Sequence, residues 1–334
     1  MRILLDKNKN YYKANLHGHT STYSDGAASI EKVKAEYKKR GYSVIAFTDH
    51  EHIVDNSHLN DDDFLTITST EIAIKEFPKV STLVNRNMAV VHLNFYSRDP
   101  HNVKTPCYSR TYDKYFKEEF KDIIFSDGEY DRKYTPEGIN EIIKEANKEG
   151  FLVSYNHPTW SLDTPEHYMK YEGLWAVEIY NHDCQRQGLN NDEAVFEYML
   201  RDGKKVFCTA CDDNHNFESF DSQYTDSFGG WCMINSEKLD YDTIFSSLEK
   251  GEFYASTGPE ILSLIEDGGI VRVETSPAGK IALITRSRRR HGIIAEKGET
   301  ITSAEFKLDS QDGYFRIRVE DENGKIAWSQ AYEI

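Results

Sequence analysis

The segment spanning residues 15–25, Asn-Leu-His-Gly-His-Thr-Ser-Thr-Tyr-Ser-Asp, holds side chains that can bind a metal ion. His17 and His19 lie two residues apart at the end of a short apolar run, and Asp25 follows six residues after the second histidine. Because side chains at i and i+2 of a strand face the same way, the two imidazoles can hold one cation. Imidazole with carboxylate suits Zn, Mn or Fe better than Ca, which prefers an all-oxygen shell. For the His-Gly-His spacing alone, a packed or surface pair of histidines is the competing interpretation.

The same arrangement recurs along the chain. Seven apolar runs have a residue that can bind a metal or a substrate at or just after their carboxyl ends. These residues are His17, His50, Glu71, His92, His157, Asn181 and Asp213. Each one alone has an ordinary explanation as a polar loop residue or a satisfied core histidine, but seven in phase favour a shared site. Polar groups at the carboxyl ends of strands build one site in parallel α/β barrels and open sheets.

The segments between these runs predict helices. Ser29 is predicted to cap a helix that runs through Arg40, and Thr135-Pro136 to start a helix that runs to Gly150. A further helix is expected over about 191–201. Residues 94–134 have weak periodicity and are interpreted as an insertion with at most one helix, near 111–122.

Beyond residue 257 the alternation gives way to short β-rich segments separated by Asp-Gly and Asn-Gly turns. These segments are expected at 261–265, 270–275, 280–285 and 315–320. The sequence therefore predicts an α/β protein with a metal-binding domain at 1–257 and a small β-rich domain at 258–334, either independent or a lid.

Composition narrows the function classes. The chain has 334 residues, 39% of them hydrophobic, and a net charge of -16. With a mean hydropathy of -0.65 and no apolar run of bilayer length, we expect no membrane span and a cytoplasmic protein. The acidic balance disfavours broad nucleic-acid binding. It leaves an anionic substrate open, because bound metal cations would invert the local field. The five scattered cysteines argue against a disulfide framework.

The ordered motifs resemble a known family. His17-Gly-His19, Ser24-Asp25-Gly26, Thr48-Asp49-His50, Glu71, His92, His157 and Asp213-Asn-His215 are similar to the PHP (polymerase and histidinol phosphatase) domain, over roughly residues 13–256. The tail segments 253–259 and 321–328 resemble a subgroup of stand-alone metallohydrolases that includes a carbamate-ester hydrolase. The resemblance implies a distorted (β/α)7 barrel that holds two or three divalent metal ions (Zn, Mn or Fe).

The resemblance also implies a ligand set. Its most closely shared members are His17, His19, Glu71 and Asp213. Asp25, His50 and His215 would complete the cluster, and His92 and His157 would hold a third ion. Asp25 stands where some relatives have histidine. At the last motif the Asp-x-His spacing favours Asp213 as the ligand, which leaves Asp212 to orient its neighbours.

Nine such groups are enough for clustered ions to activate a water and to neutralise a phosphoryl oxygen in an in-line displacement. His182 is a candidate proton donor for the leaving group, with His52 and Tyr180 as others; surface or orienting roles are the alternative for each. Substrate contacts are expected from Arg186, Arg98 and Asn181, although ordinary surface arginines are equally compatible with these positions. The sequence contains no Gly-rich phosphate loop and no Gly-x-Ser-x-Gly elbow.

Three functions are therefore compatible with the sequence. The first is a metal-dependent phosphoesterase that acts on a small phosphorylated or nucleotide-type molecule. The second keeps the activated water but hydrolyses a carboxylic or carbamate ester, and the third is a non-catalytic, metal-stabilised binding module. The large ligand set argues against the third, because buried carboxylates and imidazoles without partners are costly. The oligomeric state is not predicted.

Overall fold

A computed structural model describes residues 1–117, 129–288 and 291–334, in which helices and strands are mixed. The helices are α1 Ile30–Lys39, α2 Pro136–Lys148, α3 Pro165–Tyr168, α4 His182–Arg186, α5 Glu193–Arg201 and α6 Tyr241–Lys250. A short 3-10 helix covers Ser57–Leu59. None of the described helices has the length and apolar character needed to cross a bilayer.

The predicted ligands lie in or after strands that belong to the first eleven. They are β1 Arg2–Leu5, β2 Asn10–Asn15, β3 Tyr42–Ala46, β4 Leu65–Ile67, β5 Ser69–Lys75, β6 Val90–Ser97, β7 Phe151–Tyr155, β8 Ala176–Asn181, β9 Phe207–Cys211, β10 Trp231–Ser236 and β11 Phe253–Ser256. The remaining strands are β12 Ile261–Asp267, β13 Ile270–Ala278, β14 Lys280–Thr285, β15 His291–Ile294, β16 Ile301–Lys307, β17 Tyr314–Glu320, β18 Ile326–Ser329 and β19 Tyr332–Glu333. The predicted α/β class with a β-rich C-terminal part is confirmed.

Two sheets meet at the predicted site. The larger one has the order β15-β14-β17-β18-β11-β10-β2-β3-β4, and a five-stranded sheet has the order β5-β6-β7-β8-β9. Isolated parallel bridges join Gly18 to Asn214 and His50 to Glu71, just beyond the ends of β2, β9 and β3. The carboxyl ends of parallel strands from both sheets therefore adjoin, as the recurring motifs predicted.

A closed (β/α)7 barrel is not found in the described residues. Strands β2, β3 and β4 are parallel, as are β7, β8 and β9. Strand β6, however, is antiparallel to both β5 and β7. No described helix lies between β4 and β6, so strict strand–helix alternation was wrong for this part of the chain.

The predicted helix starts agree with the structure. The Ser29 side chain accepts from the Lys32 amide at the start of α1, and the Thr135 side chain accepts from Gly138 at the start of α2. Helix α6 was not predicted; Asp240 caps it, and its apolar face is buried against β10. Of the helix expected near 111–122, residues 111–117 are not helical and residues 118–122 lie outside the described residues.

The β-rich part is joined to the rest by backbone pairing. A separate four-stranded sheet, β1-β12-β13-β16, includes the first strand of the chain, and β18 pairs with β11. Arg316, buried on β17, also donates to Glu197 at 2.7 Å and to Glu193 at 2.7 Å on α5. These contacts cross the boundary predicted at residue 257, which stays a prediction about domain organisation.

Candidate metal centre

Nine predicted ligand side chains come together where the two sheets meet. Their donor atoms form four overlapping groups, and within each group all atoms lie within 4.8 Å of one another. The groups are His19 with Asp25, His50 and His215; His17 with His157 and Asp213; His17 with His19 and Glu71; and Glu71 with His92 and His157. Imidazole and carboxylate donors crowded at this spacing form a candidate site for divalent transition-metal ions.

Backbone pairing brings the His-Gly-His segment against the last motif. The amide of His19 donates to the carbonyl of Asn214 at 3.0 Å, and the amide of Asp213 donates to the carbonyl of His17 at 2.9 Å. As a result, Asp213 Oδ1 lies 3.1 Å from Nε2 of His17 and 3.1 Å from Nε2 of His19.

Glu71 lies at the centre of the cluster. One of its carboxylate oxygens is 3.2 Å from His17 Nε2 and 3.1 Å from His92 Nδ1, and the other is 3.3 Å from His50 Nδ1. His157 Nε2 approaches the first oxygen at 3.4 Å. Because Glu71 belongs to two of the four groups, its two oxygens are placed to serve more than one ion.

Asp25 and His215 close the cleft side of the cluster. Asp25 lies 3.5 Å from His50 Nε2 and 3.6 Å from His215 Nε2 through its two carboxylate oxygens. Its side chain is 30% exposed, whereas Glu71 is 1% exposed, so the cluster runs from a closed floor to an open mouth. Tyr115, from the insertion, donates to Asp25 Oδ2 at 3.1 Å.

Electrostatic coupling divides the histidines into two kinds. Burial alone would lower the pKa of His17, but the carboxylates of Asp213 and Glu71 outweigh it and raise that pKa well above its ordinary value. Burial would also lower the pKa of His50, but the Asp25 carboxylate outweighs it and raises that pKa to about 9. Burial and the neighbouring His215 lower the pKa of His19 to about 4.

A bound metal ion would satisfy the buried donor atoms better than hydrogen bonds among them do. His92 Nδ1 is buried 3.1 Å from a Glu71 oxygen, yet the pair does not have hydrogen-bond geometry, and this nitrogen has no other partner in the part of the chain that the structure describes. Orphaned buried imidazole nitrogens cost free energy that a ligated cation recovers. His157 and Asp213 also have positive φ angles, 28° and 55°, which are unfavourable for residues other than glycine and are typical of functional sites.

Glu178 was missed by the sequence interpretation. It is 1% exposed on β8, and its Oε1 lies 3.0 Å from His17 Nδ1. Its Oε2 accepts from the His157 amide and the Asn181 side chain, both at 2.9 Å. A carboxylate on a ligand histidine's second nitrogen sets the tautomer and the ring orientation. The only sequence signal was a glutamate inside the apolar run at 174–179.

Two residues predicted to be catalytic or substrate-binding instead form hydrogen bonds to other groups of the protein. The Oδ1 and Oδ2 atoms of Asp212 accept from the amides of Phe228, Gly229 and Gly230, at 2.7 to 3.0 Å, and Asp212 is fully buried. Both donors of the Asn181 amide bond to carboxylates, Glu178 at 2.9 Å and Asp213 at 3.0 Å. Asp212 thus supports the loop at 228–230, and Asn181 holds Asp213 in place rather than facing a substrate.

A cleft of about 740 Å³ opens above the ligands. Its charged and aromatic wall residues include Lys75, Lys114, Arg186, Asp183, Tyr112, Tyr115, Trp160 and Phe217. The Trp160 ring packs 5.1 Å from His92 and 4.8 Å from His157, centroid to centroid. Arg186 lines the cleft and pairs with Asp183 at 2.9 Å, so its predicted place near the mouth agrees with the structure.

Four other candidates are not among the described residues that line the cleft. They are His182, Tyr180, His52 and Arg98. His182 Nδ1 instead bonds to the Tyr180 hydroxyl at 3.1 Å. Arg98 pairs with Glu249 on α6. The position assumed for Arg98 was wrong because β6 begins at Val90 and runs antiparallel, so its carboxyl end points away from the site.

Comparisons with known proteins add little beyond this geometry. No family model and no curated protein matches the chain. One similar solved structure is described as a two-domain protein containing a predicted PHP-like metal-dependent phosphoesterase from Bacteroides vulgatus ATCC 8482. It is 14% identical, with a TM-score of 0.46, and the match covers 99% of this chain and 96% of that chain. Similarity at this level assigns no family, so the following proposals depend on the residues themselves.

Proposed function

We propose that this protein is a metal-dependent phosphoesterase that hydrolyses a small phosphorylated or nucleotide-type substrate. The observation that carries the proposal is the convergence of nine His, Asp and Glu side chains at the floor of a cleft whose walls hold Lys75, Lys114 and Arg186. Carboxylate and imidazole donors bind divalent ions, and cationic walls suit a phosphate that carries negative charge. When bound, such ions supply Lewis acidity and an activated water, so no protein nucleophile is required.

The chain's own residues prepare the cleft for this reaction. Arg186, fixed by Asp183, offers a guanidinium to a phosphate oxygen. Trp160 covers the His92 and His157 side of the cluster and limits the access of bulk water. The Tyr115 hydroxyl donates a hydrogen bond to Asp25, and the side chain lines the cleft. Tyr115 is therefore better placed than His182 to donate a proton to a leaving group.

The proposal also includes three specific features that depend on the motif resemblance. They are membership of the PHP family, a distorted (β/α)7 barrel built from the two adjoining sheets, and a trinuclear site holding Zn, Mn or Fe. A cytoplasmic location and a small-molecule partner also belong to it. The overlapping groups around Glu71 support more than one ion.

The test compares hydrolysis of a phosphomonoester, a phosphodiester and a carboxylic ester by metal-replete protein. Asp213→Asn and His17→Ala should abolish turnover and reduce bound metal, measured by elemental analysis, while circular dichroism stays unchanged. Asp202→Asn is the matched control, because Asp202 is a surface carboxylate with a side chain 54% exposed.

Each outcome is decisive. Phosphate-ester turnover that is lost in both site variants supports the phosphoesterase. Turnover of the carboxylic ester alone would favour the ester hydrolase, and metal binding without any turnover would favour the binding module. Full activity in both variants would refute the site.

A further inference from the structure

Lys75 is a buried cation on the wall of the cleft. It is the last residue of β5, its exposed fraction is 7%, and it lines the cleft. Its Nζ lies 5.2 Å from the centroid of the Tyr112 ring. No carboxylate pairs with that Nζ in the part of the chain that the structure describes. Burying a lysine to this extent without an anion is unfavourable, so a negatively charged group of a bound ligand would stabilise it.

The surroundings of Lys75 carry surplus positive charge. Arg132 and Glu51 form a buried pair, with Nη1 2.7 Å from the carboxylate, so the negative charge of Glu51 is already balanced. Lys114, which is exposed and lines the same cleft, has no ion pair among the described residues. Lys75 and Lys114 are close enough to interact electrostatically, so two lysine charges are left over in this part of the cleft, in a chain whose net charge is -16.

Apart from Glu218, which is exposed, the other carboxylates that line the cleft are engaged elsewhere. Asp183 pairs with Arg186 at 2.9 Å, and Asp226 accepts from the amides of His215 and Asn216 at 2.8 and 2.9 Å. Asp25 lies within the ligand cluster. The described carboxylates that line the cleft near its floor are therefore committed to other partners.

The strand geometry fixes the distance between this charge and the metal ligands. Glu71, Ala73 and Lys75 alternate along β5, and all three line the cleft. Residues four apart on a strand face the same side and have Cα atoms about 13 Å apart. A ligand that reached both ends would therefore span on the order of 10 Å between its anionic groups.

We propose that the cleft takes a substrate with two separated anionic groups. One is the phosphate at the ligand cluster, and the other is a distal phosphate or carboxylate bound by Lys75 and Lys114. This inference rests on the proposed phosphoesterase function and adds the class of substrate to it. The Tyr112 ring, beside Lys75, and Trp160, beside His157, form the apolar walls between the two ends.

The experiment uses a series of α,ω-alkanediol bisphosphates of increasing length, each compared with the alkyl monophosphate of the same length. The measured quantity is the ratio of kcat/KM per phosphate group of the bisphosphate to kcat/KM of the monophosphate. We expect the ratio to peak at an intermediate length, at roughly tenfold to hundredfold, as charge-assisted hydrogen bonds provide. A parallel series of ω-carboxyalkyl phosphates distinguishes a distal carboxylate from a distal phosphate.

Two variants and a control locate the effect. Lys75→Met and Lys114→Met should each reduce the ratio towards one at the optimal length. Lys79→Met removes the same charge from an exposed lysine of the loop after β5 and should keep the wild-type ratio. Lys114 is exposed, so its variant is expected to fold even if Lys75→Met does not.

The outcomes separate the two proposals. A ratio near one at every length, with both substrate types hydrolysed, would overturn the second anionic subsite and leave the phosphoesterase intact. A length optimum that survives in both lysine variants would overturn the assignment to Lys75 and Lys114. No hydrolysis of any phosphate ester by metal-replete protein would reject the phosphoesterase itself, and this inference with it.

Discussion

Replacing Glu178 by Gln should weaken metal binding although Glu178 belongs to none of the four ligand groups. Its Oε2 accepts two N–H groups, from His157 and Asn181, both at 2.9 Å. A glutamine at this position must therefore keep its carbonyl oxygen there and turn its NH2 group to the place of Oε1. That place lies 3.0 Å from His17 Nδ1.

The consequence is a change of tautomer in His17. In the neutral form that binds metal, Nδ1 faces an NH2 donor and becomes the acceptor, so the one remaining proton is on Nε2. Nε2 is the atom that faces Glu71 at 3.2 Å and Asp213 at 3.1 Å, so the nitrogen aimed at the metal would carry a proton. Removing such an orienting carboxylate typically costs 10- to 100-fold in metal affinity, or about 1.4 to 2.7 kcal/mol.

The assay is competition for Zn²⁺ or Mn²⁺ between the protein and a chromophoric chelator at pH 7. Glu274→Gln, at an exposed side chain of β13, makes the same chemical change away from the site and should bind metal as the wild type does. Wild-type affinity in Glu178→Gln, alongside weakened binding in Asp213→Asn, would refute the tautomer argument.

Three other perturbations are informative. Arg132→Met should destabilise the protein by about 3–5 kcal/mol, because it leaves buried Glu51 without its partner, and adding Glu51→Met should restore most of that in chemical denaturation. Burial raises the pKa of Asp192 to about 6 despite hydrogen bonds from Thr159, so the native state gains stability below pH 4 that it loses as pH rises through 6. Asp192→Asn should remove this dependence, worth about 3 kcal/mol, in denaturation at stepped pH. Because the pKa of His50 is raised to about 9, metal uptake at pH 7 should release protons, seen as buffer-dependent enthalpy in calorimetry.

Each of these predictions has a contrary result. An Arg132→Met variant as stable as the wild type would show that water or rearrangement compensates Glu51. Parallel stability curves for Asp192→Asn and wild type between pH 4 and 7 would remove the linkage to Asp192. Binding enthalpies independent of the buffer's ionisation heat would mean that His50 is neutral before metal binds.

Local features of the chain were predictable because their physical causes are local. The caps at Ser29 and Thr135 lie within three residues of the amides that they satisfy, so the sequence shows both partners. The nine ligand types were visible because imidazoles and carboxylates are conspicuous beside apolar runs. His17, His50, His157 and Asp213 follow the carboxyl ends of strands and were expected to converge, whereas Glu71 and His92 lie near the beginnings of β5 and β6.

Strand direction and pairing were not predictable in the same way. The run that reaches His92 looks like a strand that ends there, but the strand begins at Val90 and continues to Ser97. An alternating pattern is the same read in either direction, so it does not show that β6 runs antiparallel. The misplacement of Arg98 follows from that ambiguity. Glu178 was missed for a related reason. Its role depends on a contact with His17, which is distant in sequence but 3.0 Å away in the fold.

The charges of the ligand cluster indicate how the fold tolerates so many buried ionisable groups. Asp25, Glu71 and Asp213 have lowered pKa values, and His17, His50 and His157 have raised ones, in each case because the opposite charges outweigh burial. Among the nine ligand residues, three carboxylates thus face three imidazoliums, and protons balance the charge of these six groups. Divalent ions that enter it replace protons as the counter-charge, so metal removal should return the protons rather than unfold the chain. Metal affinity should consequently rise with pH, while the apo protein keeps its circular dichroism spectrum at neutral pH.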